Sequence, residues 1–112
     1  MSDESEYFGM KAKEGFLVAC NVAGYTPEPK ELDNENWKNI GFWSLQSPVG
    51  TLKDLAQQIA KICNTEPKEN SLIAWEAAVV VLYSLIADPE ERFNIEEWLA
   101  TRKQQEGALP NA

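Results

Sequence analysis

Residues 71–87 read SLIAWEAAVVVLYSLIA, and the way this stretch folds decides the rest of the chain. From Leu72 to Ala87 only Glu76 and Ser84 are neither apolar nor tyrosine. The run Val79-Val80-Val81 favours a strand locally, because β-branched side chains fit a pleated surface. Length argues the other way: strands usually run about four to eight residues, and this run has sixteen. A helix that is apolar nearly all round is one surrounded by others. The stretch is therefore expected to be the central helix, opening at Asn70 or Ser71 and ending before Asp88-Pro89.

On its N-terminal side, Thr51 to Cys63 is clearly amphipathic. Leu52, Leu55, Ala56, Ile59, Ile62 and Cys63 share one helical face, and Lys53, Asp54, Gln57, Gln58 and Lys61 share the other. Thr51 is a good N-cap, Asp54 puts negative charge where the helix dipole favours it, and Asn64 and Pro67 mark the end. On the C-terminal side a helix is expected from Asn94. Asn94 with Glu97 has capping-box spacing, and Phe93 with Trp98 has that of a hydrophobic staple. Its apolar stripe fades into Arg102-Lys103-Gln104-Gln105, with Gly107 as a stop.

The first half is less decisive. Ser5 to Ala23 reads as a helix: Phe8, Ala12, Phe16, Ala19, Cys20 and Ala23 keep helical spacing, and Gly24-Tyr25 followed by Pro27 has the form of a Schellman ending. Gly9 and Gly15 weigh against it, each costing about 1 kcal/mol inside a helix, so a buried strand over Phe16–Val22 stays open. Residues 25–35 read as a connecting loop. Asn36 to Gln46 is either a short helix starting after Asp33 or Asn34, or a strand from Ile40 to Leu45. The expected fold is mainly α, a small bundle of four to five helices around the helix near 71–87. The alternative is α+β, with an N-terminal hairpin packed on three helices. One domain over residues 1–112 is expected, frayed at 1–5 and 108–112.

The 112 residues carry 10 basic and 18 acidic side chains, a formal charge of −8. Residues 1–48 hold 8 acidic and 4 basic residues and residues 49–112 hold 10 and 6, so each half carries −4. Such a surface repels phosphate backbones and anionic lipid, which argues against direct nucleic-acid or membrane binding. Met1 to Glu6 is polar and acidic and lacks the basic and apolar regions of a secretory signal. A cytoplasmic protein is expected.

No histidine occurs, and the two cysteines, Cys20 and Cys63, are far apart in apolar settings. The commonest general base and zinc ligand are missing, so Cys–His nucleophiles and zinc sites are excluded within the chain, and the thiols read as small buried hydrophobes. Neither GxxxxGK[ST] nor GxGxxG occurs. Asp33-Asn34-Glu35-Asn36 has the flavour of a calcium loop, but counting from Asp33 the sixth place is Lys38 and the twelfth Ser44, where an EF-hand needs Gly and Glu. Glu76 is the one carboxylate in the apolar helix, on a stripe with Tyr83 and Ser84; it is expected to face solvent or to meet a Lys or Arg from a neighbour. No catalytic residue, metal ligand or cofactor is assigned, and an enzyme is not expected.

What remains is an acidic module acting by binding. Four tryptophans are many for this length, and Trp37 and Trp43 lie among amide and acidic neighbours, where aromatic side chains mark interfaces. The expected partner-binding residues are Trp37, Phe42, Trp43, Asp33 and Glu35. The expected partner is a protein with a basic surface, which the chain would occupy in the manner of an inhibitor, immunity or anti-defence protein. The alternative is a structural or assembly role, as a homo-oligomer or a small chaperone of a larger complex.

Overall fold

Capping chemistry divides the described residues into five α-helices. A computed structural model describes residues 2–90 and 92–108, with side chains over 4–90 and 92–102. The helices are α1 (Ser2–Ala23), α2 (Asn34–Ser44), α3 (Leu52–Ile62), α4 (Glu69–Ala87) and α5 (Ile95–Ala108), with a single 3-10 turn over Pro29–Leu32 before α2. Helix α1 ends in a Schellman motif: Gly24 has φ +72°, and the Tyr25 and Gly24 N–H groups donate to the carbonyls of Cys20 (2.9 Å) and Asn21 (3.3 Å). Asp33 caps α2, its Oδ1 accepting from the Glu35 N–H at 2.8 Å. Thr51 caps α3 through the Asp54 N–H at 3.1 Å, and Asn64, at φ 55°, closes the same helix in the left-handed conformation that Asn tolerates. Asn94 caps α5, its Oδ1 accepting from the Glu97 N–H at 3.0 Å.

The fold is a helical bundle, and among the described residues there is no strand. Residues 16–22 lie within α1, and 40–44 lie within α2 with Leu45 as its C-cap, so the hairpin alternative falls away. The two glycines that weighed against α1 have a tertiary reason. A Cβ on Gly15 would sit 2.6 Å from Val81 Cγ2, and one on Gly9 2.0 Å from the Trp37 carbonyl oxygen; across the same seam a Cβ on Gly41 of α2 would sit 2.0 Å from the carbonyl oxygen of Ser5. Helices α1 and α2 therefore run antiparallel with their backbones almost touching, an approach that only missing side chains allow. Ser5 Oγ donates to the Lys38 carbonyl across this seam at 2.8 Å. Helix α1 starts at Ser2, and Ser5 is buried in this seam. At the other end α5 runs through Gly107 to Ala108; the tail from 109 lies outside the described residues.

Helix α4 is the centre, as its composition requires. Ala74, Trp75, Ala77, Ala78, Val79 and Leu82 are fully buried between α1 and α3. Phe16 of α1, Trp37 of α2 and Trp75 of α4 form an aromatic core: Phe16 lies 4.5 Å from Trp75 and 5.2 Å from Trp37, and the two indoles stack at 5.5 Å and 8°. Such pairs add about 0.5–1.5 kcal/mol each beyond their buried area. By length and composition α4 could cross a membrane, with a mean hydropathy of 1.6. Its place inside the bundle accounts for that apolarity. The Cα radius of gyration, 13.5 Å, matches the ~13 Å of a compact domain of this length, which is consistent with a soluble protein.

Candidate interaction surface

Helical period sorts the residues of α2 into two faces. Trp37, Ile40, Gly41 and Ser44 point inward and are buried, while Glu35, Asn39, Phe42 and Gln46 follow one another at helical spacing on the exposed side. Phe42 is 58% exposed, Leu45 next to it on the helix surface is 40%, and Val49 in the following loop is 85%. The loop is not loose, because the Tyr83 hydroxyl donates to the Pro48 carbonyl at 3.1 Å. Burial pushes the Tyr83 pKa up, so the phenol keeps the proton it donates. The α1–α2 seam sets Ser5 against Gly41, and the chain neighbours of Ser5, Glu4 and Glu6, are exposed. The exposed side of α2 thus carries Glu35 near its start and Phe42 near its end, with Leu45 at the C-cap and Val49 in the loop that follows.

Of the five residues expected on a binding surface, Phe42, Asp33 and Glu35 are exposed, although the Asp33 carboxylate is engaged as the α2 cap. Trp37 requires a correction. It is fully buried in the aromatic core, and its Nε1–H donates to the Glu31 carbonyl at 2.7 Å, so it offers nothing to a partner. Trp43 is half-buried against the core. Leu45 and Val49, also exposed, were not among the five. A signal for Leu45 exists in the sequence, since the small residues Gly41 and Ser44 mark the inner face of α2 and turn Phe42 and Leu45 outward.

Two buried carboxylates lie away from this surface. Glu31, in the supposed connecting loop, is completely buried. Its Oε1 accepts from the Tyr25 hydroxyl and the Glu28 N–H, both at 2.7 Å, which ties the 3-10 turn to the end of α1. Its negative charge and, more strongly, burial push the Cys20 and Cys63 thiols up to about 12. Both therefore stay protonated at neutral pH and are poor nucleophiles and poor metal ligands. Among the described residues no group of three or more Cys, Asp or Glu is placed to hold a metal ion.

Glu76 is the second. It is 4% exposed and forms an ion pair with Arg102 of α5, whose guanidinium lies 5.6 Å from the centroid of the Trp98 ring. The stripe expected to face solvent is instead a structural pairing with a neighbouring helix, the other option read from the sequence. A shallow pocket of about 510 Å³ opens beside the pair, between the start of α3 and the face of α5. No protein-family model, curated protein or solved structure matches the chain.

Proposed function

We propose that the chain is a small acidic protein-binding module, of the inhibitor, immunity or anti-defence type, that occupies a basic surface on a cytoplasmic protein partner. The observation that carries this reading is the exposure of Phe42, Leu45 and Val49, at 58, 40 and 85%, in a segment that opens with the exposed carboxylate of Glu35. Interfaces of this kind have apolar anchors at the centre and charge at the rim: the anchors supply most of the affinity, and the charges steer encounter and select against wrong partners. A net charge of −8 favours basic partners and opposes nucleic acid and anionic membrane. The buried, protonated thiols and the absence of histidine are in keeping with binding rather than catalysis.

The test is affinity capture from the native host with the wild-type chain and with a Phe42→Asp/Val49→Asp double variant whose helicity is first checked by circular dichroism. The double variant should lose the specific partner; equal capture by both would overturn the surface assignment. A second reading, self-association in an assembly role, is favoured by Tyr7, Met10 and Leu17, which are 41, 38 and 39% exposed on the outer side of α1. Light scattering on the eluting peak separates the two, since a monomer is incompatible with the homo-oligomeric version.

A further inference from the structure

The pocket beside Glu76 has the parts of a guanidinium receptor. Glu76 supplies a nine-tenths-buried carboxylate from α4, Trp98 an indole face from α5, and Thr51 and Thr101 hydroxyl groups at the walls. Carboxylates bind guanidinium through charge-assisted hydrogen bonds, and indole faces attract it through their quadrupole. Arg102 already demonstrates the fit by occupying the site from its own chain. The two partners are unequally held: the Arg102 side chain is 27% exposed and the Glu76 side chain 6%. The guanidinium can therefore leave for water, whereas the carboxylate cannot. An uncompensated buried charge is costly, so Arg102 leaves only when another cation takes its place.

We propose that this pocket is an arginine-docking site, in which an arginine side chain of the protein partner replaces Arg102 on Glu76 and Trp98. The proposal rests on the reading of the chain as a module for a basic partner and names the chemistry that partner presents. Thr51, at the pocket wall, follows Val49 by two residues, so that wall lies within about 7 Å of the Val49 backbone. Lys53 at the pocket repels an ammonium and a guanidinium alike, so the preference for arginine comes from its planar stacking on the Trp98 indole and its fork of donors to Glu76.

The experiment titrates the isotope-labelled wild-type chain with N-acetyl-arginine amide, its citrulline counterpart and its lysine counterpart. The readout is the indole N–H resonance of Trp98, assigned from a Trp98→Phe variant. The arginine probe should give a saturable shift, the lysine probe one at least about tenfold weaker in affinity, and the neutral citrulline probe none. Glu76→Gln should abolish the response. Arg102→Ala, which removes the internal competitor, should bind the arginine probe about tenfold more tightly, and Arg102→Lys serves if the alanine variant does not fold. Equal shifts from arginine and citrulline, or no tightening when Arg102 is replaced, would overturn the proposal. The Phe42→Asp/Val49→Asp variant separates the two claims. If it still captures the partner but the probe binds at Glu76, the strip fails and the pocket stands. If Glu76→Gln keeps the partner and the double variant loses it, the pocket fails and the strip stands.

Discussion

Replacing Gly9 by alanine should destabilise the protein, although the same change on an exposed helix face would stabilise it. In a free helix alanine is favoured over glycine by about 1 kcal/mol. Here the new Cβ would lie 2.0 Å from the Trp37 carbonyl oxygen and 2.7 Å from its carbon. Both are main-chain atoms of α2, so neither can rotate away. Ordinary contact begins near 3.4 Å, and the two helices would have to part by about 1.4 Å. That separation breaks the Ser5–Lys38 hydrogen bond, now 2.8 Å, at a net cost of about 1 kcal/mol. It also loosens Trp37 against Phe16, and overpacking of this kind costs about 1–3 kcal/mol. Subtracting the helix-propensity gain leaves a net loss of about 1–3 kcal/mol, or a fall in Tm of about 5–20 °C. Urea unfolding followed by tryptophan fluorescence measures it, with Gly15→Ala as the comparison. A Cβ on Gly15 meets chiefly the Val81 side chain, at 2.6 Å, which can adjust where a backbone cannot. Gly9→Ala should be the more destabilising of the two. A Gly9→Ala variant as stable as the wild type would refute the close-backbone seam.

Other perturbations probe separate parts of the molecule. Thr51→Ala removes the acceptor of the Asp54 N–H and should cost about 1 kcal/mol in denaturant unfolding. Arg102→Ala strands the buried Glu76 carboxylate and should cost about 3 kcal/mol, whereas Glu76→Met with Arg102→Met should recover most of that loss, since an apolar pair carries no desolvation penalty. The cysteines predict an alkaline limit. Their folded pKa values, about 12, lie above the ordinary 9.0. The unfolded chain therefore gives up these protons first, so the contribution is whole below pH 9 and is lost as the pH rises from 9 towards 12. Equilibrium unfolding across that range should show falling stability, and Cys20→Ala/Cys63→Ala should flatten the slope.

The backbone of the fold was legible wherever local chemistry decides local structure. Sixteen nearly unbroken apolar residues fix α4 as a core helix, and Thr51, Gly24 and Asn94 act at helix ends as their side chains dictate. What stayed hidden depends on a second segment. Gly9 looks like a flaw in α1 until the carbonyl of Trp37 is placed against it. Trp37 sits among polar neighbours in the chain, yet an inward turn of the helix stacks it on Trp75, which lies thirty-eight residues further on. Glu31, between a proline and an acidic stretch, resembles a solvated loop residue. Its burial follows from Tyr25 and from the Glu28 N–H, partners that only the folded turn supplies. The candidate surface was legible in part for the same reason: Phe42 and Glu35 follow from the period of α2, but the exposure of Val49 depends on how the loop between α2 and α3 folds.

The most direct test of the binding surface places a photo-crosslinking phenylalanine analogue at Phe42, with the same analogue at exposed Asn21, near the C-terminal end of α1, as the reference. On irradiation in the native host, position 42 should yield a discrete covalent adduct with one protein, and that protein should present a basic surface. An adduct from position 21 and none from position 42 would contradict the account.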